Sequence, residues 1–218
     1  VALGDVVAEV EKLLADYPAP DGVDLEVGGT VEDQGDAFGD LGTLLILIVI
    51  LVYIVMATQF ESLKFPFIIM FTIPFAFTGV FLALWMTSTP LSLIALIGAI
   101  MLVGIVTKNG IVMVDYMNLL IERGSGVFDA VIAGGKSRLR PVLMTSFTTI
   151  LGMLPLAIGT GAGSETWQPM GIAVIGGLTF STILTLFIVP VLYSILVNRS
   201  QRKEREKLAR LSAEHQAS

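Results

Sequence analysis

Five stretches of this chain are apolar for long enough to cross a lipid bilayer, and this limits its fold more than any other feature. They cover residues of about 41–58, 65–86, 91–121, 141–160 and 169–197. A helical crossing of the hydrocarbon core needs about 20 residues. The first run has 18 residues and can be extended on its N-terminal side; the last is long enough to tilt or to reach into the interface. In lipid every backbone N–H and C=O must be satisfied, and a helix does this within its own segment. The expected fold class is therefore a mainly α membrane protein, a bundle of five transmembrane helices. Only 15% of residues are charged and the mean hydropathy is +0.83, whereas soluble domains carry about 25% charged residues.

Five crossings put the two ends of the chain on opposite sides of the membrane, and the basic residues orient them. Lys64 lies in the first inter-helix loop, Arg123, Lys136, Arg138 and Arg140 in the third, and Arg199, Arg202, Lys203, Arg205, Lys207 and Arg210 in the tail. The second and fourth loops hold neither Lys nor Arg. By the positive-inside rule the first loop, the third loop and the tail (198–218) are expected to be cytoplasmic. Val127, Phe128, Ala130, Val131 and Ile132 suggest a short amphipathic helix in the third loop, ahead of Gly134-Gly135 and the basic residues 136–140.

Residues 1–40 differ from the rest and hold eleven of the nineteen acids. Apolar residues at helical spacing run from Gly4 to Tyr17, Pro18-Ala19-Pro20-Asp21-Gly22 makes a turn, and residues 23–27 alternate as a half-buried strand. Thr30-Val31-Glu32-Asp33 has the spacing of a capping box and opens a new helix. A lone helix and strand cannot stand alone, so this part reads as the end of a soluble α/β subdomain on the side opposite the tail. The chain opens Val1-Ala2-Leu3 without an initiator Met and reads as a piece of a longer protein. The net charge of −6 belongs mostly to this segment and points to no nucleic-acid partner. The chain has no cysteine, which excludes disulfides and thiolate-bound metal; no cofactor or metal site is expected.

Within the third run, Gly104-Ile105-Val106-Thr107-Lys108-Asn109-Gly110-Ile111-Val112-Met113-Val114-Asp115 sets an ammonium and a carboxylate among apolar neighbours. At 1.5 Å per residue Lys108 stands about 27 Å from Pro90 and about 22 Å from Arg123, near mid-segment. One reading ends the span at Val106 and lets Lys108 reach the headgroups. Against it, Ile111 to Ile121 keep the segment largely apolar for three more turns. A Lys at the bilayer centre costs about 2.5–3.5 kcal/mol on insertion scales and normally faces a bundle interior or water. Asp115 shares its face but lies about 10 Å along the axis, so a carboxylate partner must come from outside this chain. Protonating that partner would release the ammonium, which is the physics of a proton-coupled switch. On the fourth run Thr145, Thr148 and Thr149 share a face; they can bond carbonyls of their own helix or line a polar file toward Lys108.

Taken together, Thr107-Lys108-Asn109-Gly110-Ile111, the run from Arg138-Leu139-Arg140-Pro141 to Ser146, Gly152-Met153-Leu154-Pro155-Leu156 and Gly159-Thr160-Gly161-Ala162-Gly163 closely resemble the resistance-nodulation-division efflux pumps. Within them the chain looks like the hydrophobe/amphiphile, or acriflavine-resistance, multidrug branch. Tyr53-Ile54-Val55-Met56-Ala57 and Gln59-Phe60-Glu61-Ser62-Leu63 look like the end of that family's eighth span and the loop after it. The resemblance implies the C-terminal fifth of a proton-antiporting pump, a transporter and not an enzyme, in a bacterial inner membrane. It implies that residues 1–40 end a periplasmic, ferredoxin-like porter subdomain, that residues 41–197 are spans eight to twelve, and that the tail is cytoplasmic. It also implies a proton relay in which Lys108 pairs with two aspartates of the fourth span, joined by Arg138 and Thr145. Asn109 and Asp115 are further candidates for that site. The implied partners are membrane lipid, the remaining N-terminal part of the same protein, two further copies in a homotrimer, a periplasmic adaptor and an outer-membrane channel.

Two rival functions stand beside this one. The heavy-metal branch of the same family shares the bundle, but the resemblance associates Lys108-Asn109 with drug or amphiphile export. A non-transporting relative, such as a sterol-sensing receptor or a secretion accessory subunit, shares the bundle without the combined motifs.

Overall fold

The computed structural model describes residues 6, 9, 10, 12–14, 30–159, 161 and 163–217. The turn and strand expected at 18–27 lie outside the described residues, as does any test of a ferredoxin-like subdomain. Residues 6, 9, 10 and 12–14 are helical, and after them the described residues form six helices in order: α1 (Thr30–Phe60), α2 (Lys64–Met70), α3 (Thr72–Met86), α4 (Leu93–Glu122), α5 (Val127–Ile158) and α6 (Ser164–Ala217). Five helical segments among the described residues are long and apolar enough to cross a membrane, with α2 and α3 together forming one of them. The protein is mostly helical and is built as a membrane bundle.

Two boundaries differ from the sequence expectation. The second run is broken at Phe71, between α2 and α3. Pro74 has no N–H, so the Met70 carbonyl loses its donor four residues on; beside it, the Thr72 hydroxyl donates to the Ile69 carbonyl at 2.6 Å. The third-loop amphipathic segment and the fourth run, by contrast, are one helix, α5, that passes through Gly134-Gly135 and Pro141. Gly134 persists there because α5 lies hard against α4: a Cβ at that position would come 2.6 Å from Met117 Cγ.

The connections are closed by local chemistry. The Ser92 hydroxyl accepts from the Ala95 N–H and caps the start of α4. At its end Gly124 takes φ +90, and the Ser125 and Gly124 N–H groups donate to the Leu120 and Ile121 carbonyls. This is a Schellman turn, which needs a residue free of Cβ strain at Gly124.

Helix α6 is the hub and packs along α3, α4 and α5. One core joins Val80 and Leu84 of α3 with Leu102 and Val106 of α4 and Ala173 and Leu178 of α6. A second joins Met56 of α1, Ile68 and Ile69 of α2, Met113 and Met117 of α4, and Val189 and Tyr193 of α6. There the Phe65 ring stacks on Tyr193 at 5.6 Å. The α3–α6 seam is glycine on glycine: a Cβ on Gly79 would meet the Gly176 carbonyl at 2.8 Å. Close backbone approach of this kind drives helix association in lipid, where no hydrophobic effect separates helix from solvent. α1 and the membrane half of α5 stay largely uncovered, with Leu47, Ile50 and Val55 on one and Phe147 and Leu151 on the other exposed.

Candidate functional site

Lys108 sits at the middle of α4, fifteen residues after Leu93 and fourteen before Glu122. Its neighbours Thr107 and Gly110 are buried against the bundle, whereas Lys108 is exposed. The lysine therefore faces away from α3, α5 and α6. It lines a cleft of about 330 Å³ between α1 and α4, whose walls are Leu51, Val52, Val55, Met56, Gly104, Thr107, Ile111 and Val112. No acid lines that cleft, and among the described residues no carboxylate lies within ion-pair distance of the ammonium. The Thr107 hydroxyl is spent on the Val103 carbonyl at 2.6 Å. A charge held in such apolar surroundings is costly unless a counter-charge or water reaches it.

The other expected site residues lie around this one without converging on it. Asn109 is half-buried and Asp115 exposed; seven residues on from Lys108, Asp115 returns to the same face of α4 about 10 Å away. The Arg138 guanidinium of α5 lies over the Tyr116 ring of α4, 4.7 Å from its centroid, with Nε buried and unbonded. Tyr116 is eight residues beyond Lys108, so this cation–π contact is about 12 Å along the helix from the lysine. The Thr145 hydroxyl donates to the Pro141 and Val142 carbonyls at 3.1 and 2.9 Å. Thr148 and Thr149 bond Met144 and Thr145 carbonyls in the same way. The threonines thus serve their own helix, the first of the two uses open to them in the sequence.

Three polar contacts between helices were missed by the sequence reasoning, one of them the Gln168 side-chain amide of α6 donating to the Ala157 carbonyl of α5 at 3.1 Å. Ser146 of α5 and Thr182 of α6, both buried, share a hydrogen bond of 2.9 Å. The Tyr193 hydroxyl of α6 donates to Asn118 Oδ1 of α4. The signal was present as polar residues inside apolar runs, but a single sequence does not say which such residues face each other. Among the described residues no group of three His, Asp or Glu side chains is placed to hold a metal ion.

Comparison with known proteins gives one consistent family. Residues 1–197 match the model of the AcrB/AcrD/AcrF family. The chain is 37% identical to the swarming motility protein SwrC of Bacillus subtilis over 199 residues, 91% of this chain and 19% of that protein. It is 37% identical to the cobalt-zinc-cadmium resistance protein CzcA of Cupriavidus metallidurans over 203 residues, 93% and 19% of the two chains. It is also 37% identical to the multidrug resistance protein MdtC of Yersinia enterocolitica over 211 residues, 96% and 21%. A crystal structure of a heavy metal efflux pump superposes with a TM-score of 0.78 at 30% identity, covering 90% of this chain and 20% of that one. The chain spans about a fifth of the length of the relatives it matches.

Proposed function

The chain belongs to the AcrB/AcrD/AcrF family of efflux transporters, and from that premise we propose that it supplies the last five spans of a proton-driven pump that exports drugs or other amphiphiles. Lys108 is the residue on which this reading rests. It is a cation at the centre of a membrane-length helix, on a face that α3, α5 and α6 leave open and in a cleft without a carboxylate. A neighbouring span carrying acids would complete the pair: while the acids are ionised the ammonium is held, and once they are protonated it is released. That exchange gives two arrangements of the helices whose balance follows proton entry. Arg138 and Thr145 would join the same network, and Asn109 and Asp115 border it. In the same proposal residues 1–40 end a periplasmic porter subdomain, the tail is cytoplasmic, and the pump works as a homotrimer in a bacterial inner membrane with an adaptor and an outer-membrane channel.

A heavy-metal cargo is the second reading, favoured by the 37% identity to CzcA. Lys108-Asn109 weighs toward amphiphiles, through the resemblance of that motif to the multidrug branch. The test is a susceptibility assay in cells expressing the full-length protein or its Lys108→Ala variant. Loss of amphiphile tolerance in the variant, at equal membrane abundance, is the expected result. Retained tolerance would remove Lys108 from the mechanism, and tolerance to cobalt or zinc in place of amphiphiles would reverse the cargo assignment.

A further inference from the structure

Helix α5 is about 48 Å long at 1.5 Å per residue, against a hydrocarbon core of about 30 Å. Its apolar residues continue to Ile158, so the core-crossing part is its last twenty residues, starting near Leu139. Lys136 and Arg140 stand at that boundary, one helical turn apart and both exposed. The residues that follow on the same face are Met144, Phe147, Leu151, Leu154 and Ile158, every one exposed. Two cations thus crown an unbroken apolar stripe that runs about 21 Å from Met144 to Ile158. The opposite side of the helix is accounted for, because Ala130, Gly134 and Val142 are buried in the bundle and Arg138 stacks on Tyr116. Neither crown residue has an ion-pair partner among the described residues. Of the nearby acids, Glu122 and Asp129 lie further from the apolar segment, and Asp115, near the level of Tyr116 on α4, pairs with neither cation.

We propose that this face of α5 is a binding site for an anionic glycerophospholipid, its phosphate held by Lys136 and Arg140 and one acyl chain laid along the Met144–Phe147–Leu151 stripe. The pattern of the face matches that of the ligand: charge at headgroup level and continuous apolar surface below it. A zwitterionic lipid has the same tails but carries its own cation, which weakens the attraction. The lipid site is separate from the proton relay and uses none of its residues.

The test uses the full-length protein, delipidated in detergent and titrated separately with phosphatidylglycerol and phosphatidylcholine, with binding read by native mass spectrometry. Wild-type protein is expected to prefer phosphatidylglycerol. A basic residue near an anionic lipid surface contributes about 1 kcal/mol, so Lys136→Gln with Arg140→Gln should weaken phosphatidylglycerol binding about 30-fold, and each single variant about fivefold. Phosphatidylcholine binding should be unchanged, and Lys136→Arg with Arg140→Lys should keep the preference. Equal affinity of wild type for the two lipids would overturn the proposal. So would a double variant within threefold of wild type, which would mean that another part of the protein covers this face. Displacement of the lipid by millimolar inorganic phosphate would show a soluble-anion site and also overturn it. If the double variant fails to insert, the single variants decide the matter: a fivefold loss in each supports the site, and wild-type affinity in both overturns it.

Discussion

Replacing Gly79 by Ala tests the packing of the bundle at its tightest seam. The added Cβ would lie 2.6 Å from Phe180 Cβ, 2.8 Å from the Gly176 carbonyl oxygen and 3.0 Å from Gly177 Cα. Non-bonded carbons rest at about 3.5–4.0 Å, and two of these three neighbours are backbone, so a rotamer change cannot relieve the clash. The α3 and α6 axes would have to part by about 1 Å. Overpacking of this kind typically costs about 1–3 kcal/mol. Alanine returns about 0.8–1.0 kcal/mol of helix propensity, which leaves a net loss of up to about 2 kcal/mol. Gly135→Ala is the matched reference, since a Cβ there meets nothing within 4 Å and only the propensity gain remains. The two variants should therefore differ by about 1–3 kcal/mol in unfolding free energy, read from denaturing-detergent titrations of the full-length protein. Equal stability of the two, or a more stable Gly79→Ala, would refute the close approach of α3 and α6.

Other substitutions probe single contacts. Thr182→Val strands the Ser146 hydroxyl, and a double-mutant cycle with Ser146→Ala should give a coupling near the average of about 0.6 kcal/mol for interhelical hydrogen bonds in membranes; zero coupling would mean that the bond is not formed. Tyr193→Phe should lower stability by about 0.5–1.5 kcal/mol, with no further loss when Asn118→Ala is added. Thr145→Ala should weaken export more than Thr148→Ala. Since both hydroxyls bond only their own helix, equal losses in a transport assay would assign both to packing.

The sequence made the helices legible because lipid leaves the backbone few choices. Runs of about twenty apolar residues have to be helical, and the five that were expected correspond to the five membrane-length helical segments. Their ends were harder to read. A proline inside a membrane helix can break it or pass through it, and composition does not decide which. Pro74 sits just after the break at Phe71, whereas Pro141 lies within the unbroken α5. The position of Lys108 at the middle of α4 was legible from counting residues, and its isolation from acids from the absence of other carboxylates in the spans. Facing was not legible. Nothing in the chain order says that Arg138 lies over Tyr116, that Ser146 meets Thr182, or that the threonines of α5 turn back onto their own carbonyls. Those outcomes depend on how far each helix rotates when the glycine seam closes, and rotation is set by contacts among several helices together.

The proposed mechanism depends most on Lys108 carrying a charge that responds to proton entry. Full-length protein reconstituted in liposomes under an imposed pH gradient, with an internal pH dye, measures this directly. Proton flux coupled to substrate is expected in wild type, and none above the level of protein-free liposomes in Lys108→Ala. Undiminished coupled flux in Lys108→Ala would contradict the mechanism.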